Sequence, residues 1–200
     1  IEEKYQVPAD ILLAIWAVES DFGRAKLEFM TLKTITFQVY ASHRKKYFYY
    51  QLLALLNLLK KKKITYTELY GSSLGAMGQP QFMPSSYHRL GVDFDLDGKI
   101  DIWKNKKDVL ASIANFLKIN GWIKDLGWGY EVKTLSDFPC HLGGSDNIKK
   151  MSKWHEYGIS KFTEETNHTF PINTTASLLY PKGEYGPKFL VTKNFFVLKK

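Results

Sequence analysis

The stretch Ala9–Arg24, ADILLAIWAVESDFGR, decides how this chain begins to fold and raises its first chemical question. Ile11, Leu12, Ile15, Trp16 and Val18 recur at three- and four-residue spacings, which predicts an amphipathic helix with one apolar face. Glu19 falls three residues after Trp16 and four after Ile15, on that same face. A carboxylate set against an aromatic ring and a branched aliphatic loses hydration, so its charged form is disfavoured and its pKa is expected to rise. Glutamate on a helix's apolar face is more often a snorkelling or ion-paired residue than a proton donor, so the rest of the chain has to decide between the two.

With 200 residues, 44% hydrophobic and 15% aromatic, the chain suits one domain, or a core with a small satellite. The apolar run around Leu52–Leu59 is broken by Asn57 and is too short to cross a bilayer. The first residue is Ile1, and no signal peptide is present, so a processed or trimmed product is expected. Cys140 is the only cysteine, which removes an internal disulfide and a thiolate zinc site; it is read as structural. His43, His88, His141, His155 and His168 show no metal-ligand spacing. A net charge of +8 favours anionic partners. No helix-turn-helix, RNA-binding or zinc pattern supports nucleic acid, which is excluded as a partner. Lys60–Lys63 reads as a solvated last helical turn complementing the helix dipole.

Beyond the opening helix, KYFYYQLLALLNLLKK (Lys46–Lys61) predicts a helix apolar around much of its circumference and hence buried. The glycine-rich GSSLGAMGQPQFMPSSYHRLG breaks the periodicity, and Pro84 with SSYHRL predicts a short helix starting at a serine cap. DVLASIANFLKINGW (Asp108–Trp122) predicts another amphipathic helix stopped by Gly121. After Gly127, YEVKTL, FPINTTASLLYP and KFLVTKNFFVLKK are rich in β-branched and aromatic residues between turn residues, which predicts short strands. The expected class is α+β, predominantly helical. Residues 1–125 are expected to form the core, with a mixed irregular and β segment over 126–200 packing on it.

Gly71, Gly75 and Gly78 let backbone approach a ligand closely or take positive φ, yet the lysine and hydroxyl of a phosphate loop are missing. The loop instead carries Ser72, Gln79 and Gln81, uncharged hydrogen-bonding groups suited to sugars, with Phe82, Met83 and Tyr87 as candidate surfaces for a sugar's apolar face. Ordinary glycosidases need two carboxylates. Asp21, two residues from Glu19, points to a different helix face and cannot be its partner. A single acid implies a substrate that supplies its own nucleophile. In DFDLDGKID, Asp93, Asp95, Asp97 and Gly98 occupy positions one, three, five and six of an EF-hand calcium loop, but Lys104 stands where the twelfth-position glutamate belongs.

Four blocks, AIWAVESDFG, HRKKYFYYQLLALL, GSSLGAMGQPQFMPSSYHRLGVDFDLDGKIDIW and ASIANFLKINGW, resemble in order and register the membrane-bound lytic transglycosylase B family of peptidoglycan enzymes. The resemblance is dense over residues 3–125 and thinner through LLYP, YGPKFLV and NFFVL. It implies a lysozyme-like catalytic core and cleavage of the MurNAc–GlcNAc bond with formation of 1,6-anhydroMurNAc. It also implies Glu19 as the single catalytic acid and base, Ser72 orienting it, and Gln81 lining the sugar groove. Phe116 stands in that groove where many relatives carry tyrosine. A lengthened metal loop over 93–108 is implied as well, with Asp93, Asp95, Asp97, the Lys99 carbonyl and Asp108 around a structural Ca²⁺ that takes no part in the chemistry. The implied partners are peptidoglycan glycan strands and other cell-wall enzymes, met as a monomer in the periplasm or envelope of a Gram-negative bacterium. A non-catalytic peptidoglycan-binding module and a muramidase hydrolysing the same bond are the alternatives.

Overall fold

The helical periodicity of the first part becomes a set of short helices in the computed structural model, which describes residues 1–135, 138–161, 173–183 and 185–200. The chain divides into two units, Ile1–Ile119 and Asn120–Lys200. In the first, α1 (Glu2–Tyr5), α2 (Ala9–Ser20), α3 (Thr31–Ala41), α4 (Lys45–Lys60), α5 (Pro84–Leu90) and α6 (Lys106–Ile119) surround a core of Ile35, Leu55, Leu58, Leu69, Met77, Phe82, Tyr87, Leu90 and Ile102. Each such side chain contributes roughly 1.5–3 kcal/mol on burial, so this cluster is the main source of the unit's stability.

Helix α4, expected to be buried because it is apolar around much of its circumference, is buried along one stripe. Only Phe48, Gln51, Leu55 and Leu58 are buried, one stripe at three- and four-residue spacing, because its principal neighbours α3 and α5 lie on one side. Tyr49, Tyr50, Leu53 and Leu56 face solvent. The expected serine cap of α5 is also replaced. No side chain within the helix caps it, and Pro84 occupies its first turn. Gln51 of α4, 4% exposed, accepts the Ser85 N–H through Oε1 at 3.0 Å, so an orphan donor of the helix start is met by a partner 34 residues away.

The glycine loop is tied down by its own backbone. Strand β1 (Phe29–Met30) pairs antiparallel with β2 (Tyr70–Gly71), Phe29 opposite Gly71. Met77 and Phe82 exchange N–H to O bonds of 2.7 and 3.0 Å. A Cβ on Gly71 would lie 1.8 Å from the Ala76 carbonyl oxygen, so the close approach this glycine permits is that of the protein to itself.

In the second unit, β3 (Gly129–Lys133), β4 (Lys149–Lys150), β5 (Ser160–Lys161), β6 (Thr175–Leu179) and β7 (Lys188–Val191) form an antiparallel sheet in the order β4-β6-β7-β3-β5. Leu190 of β7 stands opposite Tyr130 on one side and Leu178 on the other. Helix α7 (Met151–Glu156) sets Trp154, fully buried, into a core with Val132, Met151, Leu178 and Leu190, and its indole Nε1 donates to the Ala176 carbonyl at 2.9 Å. The last predicted strand is half helix: after β7 the chain enters α8 (Lys193–Leu198). Thr192 is its cap, accepting the Asn194 N–H at 3.1 Å. Buried Asn194 donates to the Ile123 and Leu126 carbonyls at 2.8 and 2.6 Å, locking the helix start in place. His168 and the Cys140 side chain lie outside the described residues. Among the described residues no helix is long and apolar enough to cross a membrane.

Candidate active site

Glu19 is the penultimate residue of α2. The helix stops because Asp21, Phe22 and Gly23 all take left-handed backbone angles, with φ of 49°, 56° and 80°. Two consecutive non-glycine residues in that region cost about 1–2 kcal/mol each, so the surroundings must enforce the turn. Ser20, 2% exposed, does part of this: its hydroxyl donates to the Trp16 carbonyl at 3.2 Å and accepts the Gly23 N–H at 3.1 Å.

Gln79 does the rest. Its Oε1 accepts the Trp16 indole N–H at 2.8 Å, and its Nε2 donates to the Trp103 carbonyl at 2.6 Å. A Cβ on Gly23 would lie 2.5 Å from Gln79 Oε1, so only glycine lets the turn after Glu19 close against that amide. The glycine loop therefore holds the C-terminal end of α2. The amide groups of Gln79 are spent on this fastening, not held out for a sugar. Ser20 and Gln79 were not legible as positioning residues because the second has its indole partner 63 residues away.

The apolar face of α2 is narrower than its sequence implies. Leu12, Trp16 and Ser20 are buried, while Val18 is 85% exposed. Glu19 stands at the edge of the buried arc with its side chain open to solvent. Its carboxyl is nonetheless raised above the ordinary carboxylate value, and desolvation is the cause. Exposure and a raised pKa coexist because water can touch a side chain while the protein around it thins the solvent that would stabilise its charge. The C-terminal turn of a helix acts in the same direction. Among the described residues Glu19 has no hydrogen-bond or ion-pair partner. The nearest acid in sequence, Asp21, is bound to Arg24 at 2.6 Å and held low by that hydrogen bond.

Ser72 Oγ accepts the Ala76 N–H at 3.2 Å, which leaves its own proton to donate elsewhere. Gln81 takes a positive φ of 52° and donates through Nε2 to the Gly78 carbonyl at 2.9 Å. Met83, the residue before α5, is partly exposed. Phe82 and Tyr87 correct the expectation of sugar-facing surfaces: they are 6% and 1% exposed and belong to the core. Phe82 lies with its ring 5.7 Å from that of half-buried Phe116. The Tyr87 hydroxyl donates to the Ile100 carbonyl at 2.7 Å, and burial raises its pKa.

In the aspartate loop, carboxylate oxygens of Asp93, Asp95 and Asp108 gather within 4.8 Å of one another. Asp108 is fully buried at the first turn of α6 and accepts the Phe94 and Asp101 N–H groups at 2.9 and 2.8 Å. Its pKa is raised by desolvation against those bonds, with Asp95 and Asp93 adding to the rise. Three clustered acids, one of them wholly buried, are a donor set that fits a hard dication. Asp97 is not one of these three: Leu96 and Gly98 take φ of 63° and 91°, and Asp97 Oδ1 accepts the Lys99 N–H at 2.8 Å. The Lys99 ammonium pairs with Glu68.

Comparison with known proteins places these observations in a family. The family model described as Transglycosylase SLT domain matches residues 1–200. The membrane-bound lytic murein transglycosylase B of Escherichia coli is 38% identical over 123 residues, 60% of this chain and 33% of that protein. The crystal structure of SltB3 from Pseudomonas aeruginosa in complex with NAG-anhNAM-pentapeptide superposes with a TM-score of 0.93 at 36% identity, covering 98% of this chain and 52% of that one. The Escherichia coli lytic transglycosylase Slt35 in complex with calcium does so with a TM-score of 0.81 at 28% identity, covering 99% and 62%. The fold is the lysozyme-like one of these lytic transglycosylases, helices with small antiparallel sheets. The chain spans a third to about three-fifths of the length of these relatives.

Proposed function

The chain belongs to the transglycosylase SLT domain family, and we propose that it cleaves the β-1,4 bond between MurNAc and GlcNAc in peptidoglycan, with Glu19 as its one acid and base. The observation that carries this reading is the state of Glu19: accessible, raised by desolvation, and, among the described residues, without a charged group near enough to shift it further. An acid so placed keeps its proton to higher pH and can give it to the glycosidic oxygen as the C1–O bond breaks. Among the described residues no second carboxylate acts on Glu19, as forming a covalent sugar or activating water would require, so the sugar's own 6-hydroxyl closes onto C1. The Glu19 carboxylate takes the proton of that hydroxyl, which returns the acid to its starting state and releases 1,6-anhydroMurNAc. SltB3 has been crystallised with an anhydroMurNAc compound, a species of the kind this step forms.

Ser72 orients the Glu19 carboxylate by donating its hydroxyl proton, and Gln81, Met83 and Phe116 border the sugar. Residues 1–125 hold all of this chemistry. Asp93, Asp95 and Asp108 bind Ca²⁺, which a relative is known to hold. A cation there relieves the repulsion among three carboxylates and stiffens the loop beside α6. The site of action is the periplasm or cell envelope, in keeping with a membrane-bound relative. Mass spectrometry of purified peptidoglycan, digested with this chain and with Glu19→Gln, tests the reading. Muropeptides ending in 1,6-anhydroMurNAc, lost in the variant, are expected. Reducing-end MurNAc would make the protein a muramidase, and no soluble product from the wild type would make it a binding module.

A further inference from the structure

The chain's charge is not spread over its surface. Between Phe29 and Thr67 lie eight Lys or Arg residues (Lys33, Arg44, Lys45, Lys46 and Lys60–Lys63) and no Asp or Glu, which equals the entire net charge of +8. The rest of the chain balances at twenty cations and twenty acids. The α3–α4 hairpin and the lysine run that follows it are therefore the largest excess of one sign along the chain.

The same hairpin exposes apolar side chains in register with those charges. At 100° per residue, Lys46, Tyr49, Tyr50, Leu53, Leu56, Asn57 and Lys60 fall within one arc of α4, opposite the buried Phe48, Gln51, Leu55 and Leu58. Along that arc Tyr49 is 51% exposed, Tyr50 68%, and Leu53 and Leu56 45% each. Val39 and Lys45 join Lys46, Tyr49 and Tyr50 around a shallow depression at the hairpin's turn, where Tyr40 is 82% exposed. The result is a helix with two apolar faces, one in the core and one outward, the outward one framed by lysines at both ends.

We infer that this outer face of the α3–α4 hairpin docks on an anionic membrane surface. Lipid phosphates match Lys45, Lys46 and Lys60, the cations set around this face. Tyrosine rings and leucines enter the headgroup layer, and lysine stems reach past them to the phosphates. The other occupants use only half of what is there. A nucleic acid or acidic polymer would engage the lysines and leave Leu53 and Leu56 in water. A second copy in a two-fold contact would bring two sets of like charges together. The inference is independent of the catalytic reading, because it invokes neither Glu19 nor the loop that holds it.

The test is co-sedimentation of the 200-residue chain with vesicles of phosphatidylcholine alone or with one third phosphatidylglycerol, at roughly 0.05 and 0.5 M salt. Binding to the anionic vesicles is expected, weakened at the higher salt and absent with phosphatidylcholine alone. Lys46→Glu/Lys60→Glu and Tyr50→Ser/Leu53→Ser should each weaken partition by about tenfold or more. Lys149→Glu/Lys150→Glu, the same charge change placed in the second unit, should leave it within about twofold. All these side chains are partly or fully exposed, and an unchanged melting temperature confirms that each variant folds. Failure of the wild type to bind anionic vesicles overturns the inference. So does equal weakening by the control variant, or a Tyr50→Ser/Leu53→Ser protein that binds vesicles, heparin and DNA as the wild type does, since the face would then be a site for polyanions at large.

Discussion

Replacing Gln79 with leucine should show how the acid is held. Leucine is close to glutamine in volume, so the change removes hydrogen bonds more than packing. The Trp16 indole N–H, on a side chain 7% exposed, loses its acceptor Gln79 Oε1, and an orphaned buried donor costs about 1–3 kcal/mol. The Trp103 carbonyl loses the Gln79 Nε2 donor but is half-buried and can be rehydrated, which adds about 0.5–1 kcal/mol. The expected cost is about 2–3 kcal/mol, or roughly 5–10 °C in melting temperature for a chain of this length. Urea unfolding at constant m-value measures it. In a Trp16→Phe background the orphaned donor no longer exists, so Gln79→Leu should cost about 1–2 kcal/mol less there than in the wild type. A cost below about 0.5 kcal/mol, or no coupling to Trp16, would refute the claim that this amide fastens α2 to the glycine loop. Release of soluble muropeptides should fall as well, because the amide abuts the Gly23 turn that follows Glu19.

Gly23→Ala should cost about 2–3 kcal/mol, from a left-handed alanine whose Cβ would stand 2.5 Å from Gln79 Oε1; a neutral result in urea unfolding would remove the steric argument. Because desolvation raises the Glu19 carboxyl from its ordinary 4.5, its ionisation weighs against the folded state, a penalty full above the folded pKa and absent below the unfolded one. Glu19→Gln should therefore melt higher than the wild type at pH 7, with the difference closing near pH 4 and below, and the wild-type rate should fall on the alkaline side as the acid loses its proton. An advantage over the wild type no larger at pH 7 than at pH 4 would contradict the sign. For the metal, added Ca²⁺ should raise the melting temperature, and a chelator should reverse this. Asp95→Asn should abolish the rise and Asp97→Asn largely keep it; loss of equal size in both would put Asp97 back among the ligands.

Much of this was open to the eye in the chain. The spacing of Leu12 and Trp16 made α2 a helix and put Glu19 near its buried side, since 3.6-residue periodicity is local. The alternating aspartates announced an acidic loop for a similar reason: two of its three gathered carboxylates, Asp93 and Asp95, are neighbours in sequence. What the sequence misjudged depended on neighbours it cannot see. The all-apolar look of α4 concealed two faces, one against α3 and α5 and one in solvent. Phe82 and Tyr87 looked like a sugar platform and lie in the core. Tertiary contact alone made Gln79 the fastening of Trp16, Gln51 the cap of α5, and Asp108, fully buried, the companion of Asp93 and Asp95. The periodicities and the stop signals follow from a residue and the few beside it. Burial, a carboxyl's hydration and the partner of a buried amide are set by chain segments dozens of residues away, and only the folded packing brings those together.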